Sequence, residues 1–320
     1  EKFYSVGKIP GGFIKREGRP TDAATLAARM IDRPMRPMFP EDFRNEVQIV
    51  NTVLSVDTDN SPELAAMFGS SLATCISKIP FDGPIAGVKV GRVNGEFVIN
   101  PTPAELEVSD IDLTVAGTKK AINMVEAGAK EVSESDMLEA LMFGHEAVKE
   151  LCEFQEKIAS EIGEEKMEYE HLEISDDLRN SITELAQDKL NTALRIKDKL
   201  EKYAAIDEVK ESIVNKYTEE NNNLDKEELE VLITKVKLVL ESIEYDIFRS
   251  ITVDEHTRSD GRKMDEIRPL SASIDMLPRT HGSALFTRGE TQALAITTLG
   301  ALNEYQVLDG ISLEAEKHFM

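Results

Sequence analysis

The residues best suited to chemistry are basic side chains near the N-terminal end of the chain. Within residues 15–36 they outnumber acidic side chains by six to three, although the whole chain of 320 residues has a net charge of −23. Phe13 precedes the first two cations, and glycines stand at positions 11, 12 and 18. An aromatic ring stacks on any base and cations neutralise phosphates, so this composition is typical of a loop that holds single-stranded nucleic acid. The alternative is a glycine-rich surface turn with one buried Phe.

A helix must position the last three of these cations. Thr21 is a suitable N-cap residue, and the residues after it favour a helix. Arg29 and Arg33 are four residues apart and share a face, whereas Pro34 predicts a break before Arg36. Like charges at this spacing repel each other. The pattern therefore indicates either a ligand that carries phosphate or buried ion pairs with neighbouring carboxylates.

The stretches FIKREGRP at 13–20 and ARMIDRPMRP at 28–37 together resemble the bacterial polynucleotide phosphorylase family. They match the basic loop and helix of its first RNase PH-like core domain. Some members have two aromatic residues and two arginines in this pore loop, whereas this chain has FIKR at 13–16, so one stacking face is missing. The candidate RNA-binding residues that the resemblance implies are Phe13, Lys15, Arg16, Arg19, Arg29, Arg33 and Arg36.

Composition and charge distribution limit the class of protein. No apolar run approaches the length of a membrane span, and residues 1–30 lack the apolar core of a signal peptide, so we expect a cytoplasmic protein with no membrane partner. Cys75 and Cys152 have no metal-ligand spacing, which favours a reducing compartment and two buried thiols. Residues 126–255 hold 35 acidic and 16 basic side chains, so most of the acidic excess lies in one central segment and does not argue against nucleic acid elsewhere.

Apolar periodicity predicts strands and helices in the first half of the chain. We expect strands at 46–56, 86–90, 96–99, 111–115 and 122–126, and helices at 62–77 and 133–160. Asn94-Gly95 tolerates the positive φ angles of a type I′ turn and predicts a hairpin, and Ser133 is a suitable cap for the long helix. His145 is a lone histidine in that helix and is interpreted as structural. Strands with helices on one side indicate an α+β fold, which agrees with the resemblance because RNase PH-like domains are α+β.

The central acidic segment is predicted to be all helical. Ser175 can cap a helix whose apolar face runs from Leu178 to Leu194, and two further helical stretches follow at 206–217 and 226–248. The charged faces are interpreted as solvated. The family has a helical domain at this place, so the pattern and the resemblance agree. We expect no catalytic group in this segment.

The last part of the chain carries a second pair of motifs. RSDGR at 258–262 and RTHGSALFTRGETQ at 279–292 resemble the opening of a second RNase PH-like core domain. Arg279, His281 and Arg288 are candidate phosphate contacts, with plain structural roles as the alternative. No third orienting group accompanies His281 and Ser283, so a Ser-His nucleophile is not expected. Asp309 ends a short strand and is not assigned as a metal ligand.

The predicted domains follow from this order of motifs. Residues 1–163 are expected to form the first RNase PH-like core domain without its start, residues 164–252 an all-helical linker domain, and residues 253–320 the start of a second core domain. We therefore expect a fragment of a longer protein.

The resemblance also implies a reaction. Family members degrade single-stranded RNA from its 3′ end, because inorganic phosphate, the second substrate, attacks the last internucleotide phosphorus and releases a nucleoside diphosphate; the reaction reverses as polymerisation. It needs an anion pocket, cations and a divalent metal, for which the family implies Mg²⁺. The family further implies a homotrimeric ring. Its phosphate pocket and metal-binding aspartates lie beyond the matched stretch, so we expect no catalytic residue, no metal ligand and no phosphorolysis in the chain as given.

Two alternatives remain open at this point. The chain is either part of the phosphorolytic enzyme or an RNA-threading and assembly module without catalytic activity. A third possibility, an acidic helical interaction protein with an incidental basic loop, does not explain two specific motifs in the family's order.

Overall fold

The computed structural model describes residues 1–9, 19–308, 310–313 and 316–319. Two compact units are present, one formed by Glu1–His171 with Ala301–Met320 and the other by Leu172–Gly300. Each unit contains helices and antiparallel strands, which confirms the α+β class. These two units do not test the three-domain division, which stays a prediction.

The first unit is built on a four-stranded antiparallel sheet in the order β2-β1-β3-β4. Its strands are β1 (Ala86–Val93), β2 (Glu96–Ile99), β3 (Ile111–Gly117) and β4 (Ile122–Ala129). Asn94 and Gly95 join β1 to β2 with φ angles of 52° and 85°, as a type I′ turn requires. The predicted hairpin is therefore confirmed.

A long helix covers one face of this sheet. Alternate residues of β1 and β3 pack against α4 (Glu134–Ile162) in a buried core that includes Val88, Val90, Leu113, Val115, Val148 and Cys152. Ser133 caps this helix by accepting a hydrogen bond from the backbone N–H of Asp136. Gly144 allows close packing, because a Cβ at this position would lie 2.8 Å from Val90 Cγ2. His145 is buried and its Nε2 lies 2.9 Å from Thr118 O, which confirms its structural role.

Two more helices cover the opposite face, so the expectation of helices on one side only is wrong. They are α1 (Asp22–Met35) and α2 (Pro62–Ile76), which form a second core with Ile31, Met35, Met67, Ile85, Ala116 and Met124. Successive strand residues point to opposite faces, and Val115 faces α4 while Ala116 faces α2. Both faces of β3 are thus apolar, and both need a helix to cover them.

The predicted strand at 46–56 is wrong. The structure shows irregular, largely exposed backbone there. Within the described residues, its backbone hydrogen bonds run from Lys2 N to Val53 O and from Val56 N to Ser5 O. A β-branched pattern forms a strand when a neighbouring strand pairs along it, and no described strand does so here.

The predicted helix break at Pro34 is also wrong. Thr21 caps α1 as expected, with Oγ1 accepting a hydrogen bond from Ala24 N at 3.1 Å, but the helix continues through Pro34 to Met35. A 3₁₀ turn, Arg36–Met38, follows directly. Proline so close to the end of a helix removes only one hydrogen bond, and the Pro34 carbonyl accepts a hydrogen bond from Asn123 Nδ2 at 3.0 Å.

The second unit contains a three-helix bundle. Its helices are α5 (Asp176–Leu194), α6 (Lys199–Glu220) and α7 (Lys226–Val253), and their shared core includes Ile182, Leu190, Ile206, Ile213, Val236 and Leu240. Ser175 caps α5 through its hydroxyl oxygen, and Asp198 and Asp225 cap the next two helices. The predicted all-helical segment and the break between its stretches at 206–217 and 226–248 are confirmed, and the break lies at residues 221–225.

The RSDGR motif forms a hydrogen-bonded turn after the bundle. Arg262 Nε donates to Asp260 Oδ2 at 2.8 Å, Arg258 Nη2 donates to Met264 O at 2.5 Å, and Lys202 Nζ donates to Ser259 O. A three-stranded antiparallel sheet follows, with strands β5 (Leu270–Ile274), β6 (Gly282–Arg288) and β7 (Thr291–Thr297) in chain order.

The remaining elements are short. They are a 3₁₀ turn at Phe3–Val6, helix α3 (Pro103–Val108), and the paired strands β8 (Gln306–Val307) and β9 (Glu316–Lys317). Cys152 is buried whereas Cys75 is half-buried, so the prediction of two buried thiols holds for Cys152 only. None of the helices in the described ranges is long and apolar enough to cross a membrane.

Candidate nucleic-acid interface

Helix α1 places three arginines on one exposed face. Arg29 and Arg33 are one turn apart, and Arg36 follows after a second turn with a helical backbone (φ −54°, ψ −44°). The continuation of the helix through Pro34 therefore keeps Arg36 on the same face. All three side chains are exposed.

Arg33 and Arg36 each have a carboxylate partner. Arg33 Nη1 lies 3.0 Å from Glu126 Oε2 on β4. Arg36 Nη2 donates to both carboxylate oxygens of Asp32 at 2.8 Å. These pairs are exposed, with the Arg36 side chain 76% accessible, so the ion pair with a neighbouring carboxylate is present in the case of Asp32, but the expectation that such pairs are buried is wrong. Both guanidiniums lie at the surface and remain reachable by an anion.

Arg19 and Arg29 are unpaired cations in the described part of this region. Both are exposed, and neither has an ion-pair or hydrogen-bond partner for its side chain among the residues that the structure describes. Phe13, Lys15 and Arg16 lie outside the described residues, so their placement stays a prediction.

A cleft of about 730 Å³ lies beside this face within the first unit, between α1, the sheet and the start of α2. Lys89 and the hydroxyl-bearing residues Ser61 and Thr114 line it. The carboxylate-bearing residues Asp59, Glu63, Asp112 and Glu126 line the same cleft. Its charges are therefore mixed, and the cleft does not have the cationic lining that an attacking phosphate needs.

The three cations near β6 do not form one site. Arg279 and His281 precede the strand, whereas Arg288 ends it, and seven strand residues extend over roughly 20 Å. The imidazole of His281 accepts a hydrogen bond from Leu299 N at 2.9 Å, which is a structural role. Ser283 Oγ accepts a hydrogen bond from Leu277 N at 2.9 Å, so both side chains are engaged by backbone groups.

The described part of the chain contains no group of three or more His, Cys, Asp or Glu side chains that could hold a metal ion. The described residues therefore do not fit Mg²⁺. Asp309 lies outside the described residues.

Three family models match the chain in consecutive order. The 3′ exoribonuclease family, domain 1, matches residues 1–80, and domain 2 of the same family matches residues 83–147. The RNA binding domain of polyribonucleotide nucleotidyltransferase matches residues 177–263.

Curated relatives match over all 320 residues. Proteins named polyribonucleotide nucleotidyltransferase from Enterococcus faecalis, Bacillus velezensis and Bacillus subtilis are 55%, 56% and 53% identical to the chain. The chain belongs to the polyribonucleotide nucleotidyltransferase family. It covers 45%, 44% and 44% of the length of these relatives.

None of the candidate residues lies in the stretch matched by the polyribonucleotide nucleotidyltransferase model that is named for RNA binding. Arg19, Arg29, Arg33 and Arg36 lie in the stretch matched by domain 1. The model with RNA binding in its name covers the bundle α5–α7 and the RSDGR turn instead. The bundle is therefore a second candidate surface for RNA binding, and an experiment must distinguish it from α1.

Sequence reasoning missed the partner of Arg33 and the contacts of Asp42. Glu126 is 93 positions from Arg33, and no local pattern connects them. Asp42 contacts Tyr169 and His171 across 127 and 129 positions. Only the resemblance, which aligns the whole segment, offered a signal that these stretches belong to one domain.

Proposed function

We propose that this chain forms the RNA-guiding part of a phosphorolytic 3′-to-5′ exoribonuclease. Family membership supports the reaction class, and the exposed arginine face of α1 supports the RNA contact. The observation that carries the proposal is the alignment of Arg29, Arg33 and Arg36 over two helical turns, about 10 Å.

The face suits a nucleic-acid backbone for a chemical reason. A guanidinium presents several N–H donors in a plane and binds phosphate oxygens in the same way as carboxylate oxygens. Arg29 is free to bind a phosphate directly, and Arg33 and Arg36 can exchange a carboxylate for a phosphate because their pairs are exposed. The binding is electrostatic and independent of base sequence.

The rest of the proposal comes from the family. In the whole protein, inorganic phosphate is the second substrate, Mg²⁺ is the metal, and three copies form a ring in the cytoplasm. Phe13, Lys15 and Arg16 then extend the cationic surface of Arg19 and α1 into a loop that contacts single-stranded RNA.

The test measures binding of a labelled, unstructured RNA oligonucleotide at several salt concentrations. The triple variant Arg29→Gln, Arg33→Gln, Arg36→Gln should bind much more weakly and with a flatter salt dependence than the wild type. Arg179→Gln is the matched control, since Arg179 is exposed on α5 and its side chain has no partner among the described residues. Unchanged binding by the triple variant would overturn the proposal, and a loss with Arg179→Gln alone would place the contact on the bundle.

Phosphate-dependent release of nucleoside diphosphates is measured in parallel, with the Bacillus subtilis relative as a positive control. RNA binding without release identifies the chain as a threading module. Release by the chain assigns the catalytic groups to it.

A further inference from the structure

Asp42 holds two side chains that lie far along the chain. Tyr169 donates its hydroxyl to Asp42 Oδ1 at 2.9 Å, and His171 Nδ1 lies 2.7 Å from Oδ2. Both hydrogen bonds hold the pKa of the Asp42 carboxyl below its usual value, and the one from His171 has the larger effect. Tyr169 and His171 belong to residues 163–171, which we call the connector because they lead from α4 towards α5.

The first half of the connector is fixed to the end of α2. Lys166 Nζ donates to the carbonyl oxygens of Thr74, Cys75 and Ser77 at 3.1, 2.8 and 2.8 Å. These carbonyls lie at the end of α2, where the helix leaves acceptors without an intrahelical partner. The connector backbone adds hydrogen bonds from residues 164 and 167 to the carbonyls of residues 76 and 78. The connector is therefore anchored before it reaches Asp42.

Ring contacts reinforce the link to the loop that carries Asp42. The centroids of Phe43 and Tyr169 are 5.2 Å apart, and those of Phe39 and Phe81 are 5.1 Å apart. The backbone N–H of residue 82 also donates to Met38 O at 2.7 Å. Residues 38–43 are thus held from two directions.

This loop follows directly from the arginine face. Arg36 begins the 3₁₀ turn that follows α1, and the loop of residues 38–43 starts at the end of that turn. Beyond it, residues 46–56 are irregular and form few backbone hydrogen bonds within the described residues. The contacts of Asp42, the Phe39–Phe81 ring contact and the hydrogen bond to Met38 O therefore together restrain the chain after Arg36.

We propose that Asp42 is a positioning residue that couples the connector to the arginine face and thereby sets the affinity for RNA. This inference rests on the proposed function. Tyr169 and His171 act through Asp42, which fixes the loop, and the loop fixes the backbone of the 3₁₀ turn that Arg36 begins. The coupling is reciprocal, because a ligand that stabilises one arrangement of the arginine face also stabilises the connector contacts of that arrangement.

The experiment combines hydrogen exchange with RNA affinity on the full 320-residue chain. Tyr169→Phe and His171→Gln should each speed amide exchange in residues 38–43 and weaken RNA binding by about two- to tenfold, the effect of one hydrogen bond. Tyr217→Phe is the matched control, since it removes a tyrosine hydroxyl that lies 2.9 Å from Ser181 Oγ in the bundle. Tyr217→Phe should change neither amide exchange in residues 38–43 nor RNA affinity. Circular dichroism verifies that each variant is folded.

Two further readouts separate positioning from general stability. In an Asp42→Ala background, Tyr169→Phe should have little additional effect, because Asp42→Ala already removes the acceptor of the Tyr169 hydroxyl. Added RNA should slow exchange in residues 167–171 of the wild type and not of an Arg33→Gln, Arg36→Gln double variant.

Unchanged exchange in residues 38–43 of the Tyr169 and His171 variants would overturn the inference. Faster exchange in these variants would also overturn the inference if their affinity for RNA equalled that of the wild type. If the wild type binds no RNA, the proposed function and this inference are both wrong. If the wild type binds RNA but the coupling is absent, only this inference is wrong.

Discussion

Arg33 on α1 and Glu126 on β4 form an ion pair with an Nη1–Oε2 distance of 3.0 Å. The pair is exposed, so solvent and salt screen it strongly. Glu126 nevertheless places a negative charge beside the arginine face at the position where an RNA phosphate is proposed to bind. Under the proposed function, Glu126 is an internal competitor of RNA for Arg33.

Removal of this competitor should tighten RNA binding. We expect Glu126→Gln to increase affinity at low salt, because Arg33 then has no carboxylate to exchange for a phosphate. Glu96→Gln is the control, since Glu96 is exposed on β2 and its side chain has no partner among the described residues. Oligonucleotide titration measures both. Equal changes in the two variants would show that only net charge matters.

Arg29 should contribute one phosphate contact without losing a carboxylate partner. Arg29→Gln is expected to reduce the slope of log affinity against log salt by about 0.7, the value for one contact on single-stranded nucleic acid. Arg29→Lys should retain the slope, because the charge remains. A salt titration of both variants checks this, and an unchanged slope in Arg29→Gln would remove this residue from the interface.

The loop residues should separate charge from stacking. The double substitution Lys15→Ala, Arg16→Ala is expected to weaken binding at low salt and to flatten the salt slope by about 0.7 for each lost contact. Phe13→Ala should cost about 1–3 kcal/mol with the slope unchanged, and Ile14→Phe should tighten binding through a second ring. If the double variant keeps both affinity and slope, the loop is a surface turn.

Gly144 should not tolerate a side chain. A Cβ there would lie 2.8 Å from Val90 Cγ2 and 3.3 Å from Val115 Cγ1, so Gly144→Ala is expected to lower the free energy of unfolding by about 1–3 kcal/mol. Gly69→Ala on α2 is the matched control, since no atom lies within 4 Å of its Cβ position. It should raise stability by roughly 0.5–1 kcal/mol through helix propensity. Denaturant unfolding measures both, and equal signs would contradict the packing of α4.

The Arg92 cluster should make the stability of the first unit depend on pH. Arg92 donates to Asp110 and Asp136 and holds the pKa of each carboxyl below its usual value. A carboxyl with a lowered folded-state pKa adds stability above its unfolded pKa and loses it as pH falls through the folded value. Arg92→Gln should therefore lower the melting temperature at pH 7, with a difference from wild type that shrinks below about pH 4.

Lys226→Gln serves as the control for this pH series, because Lys226 is 89% exposed and lies 3.9 Å from Glu230. Its melting temperature should follow that of the wild type. A difference for Arg92→Gln that stayed constant from pH 7 to about pH 3 would mean that the carboxyls do not carry the effect.

Elements whose partners lie close in sequence were predictable. Asn94-Gly95 specified the hairpin, because both strands meet within a few residues of the turn. Ser175 and the apolar spacing after it specified the start and the buried face of α5 for the same reason. The shared face of Arg29 and Arg33 was predictable as well, since residues at i and i+4 share a face in any helix. The place of Arg36 on that face depended on the continuation of the helix through Pro34, and the role of the face in RNA binding stays a proposal.

Segments whose partners lie far away were not predictable. The apolar residues 46–56 read as a strand, but a strand requires a second strand beside it, and the local pattern does not say whether one is there. Pro34 read as a helix end, but packing against the sheet and a hydrogen bond from Asn123 keep the helix going for one more residue.

The chain by itself determined which residues are cationic, which face of a helix they share and to which family they belong. The tertiary structure alone decided which of these cations are already paired and what holds them. Glu126 beside Arg33 and His171 beside Asp42 are separated by 93 and 129 positions. An ion pair or a hydrogen bond needs two atoms about 3 Å apart. Spacing along the chain does not determine a distance between such remote residues, because the folded sheet and the anchored connector bring them together.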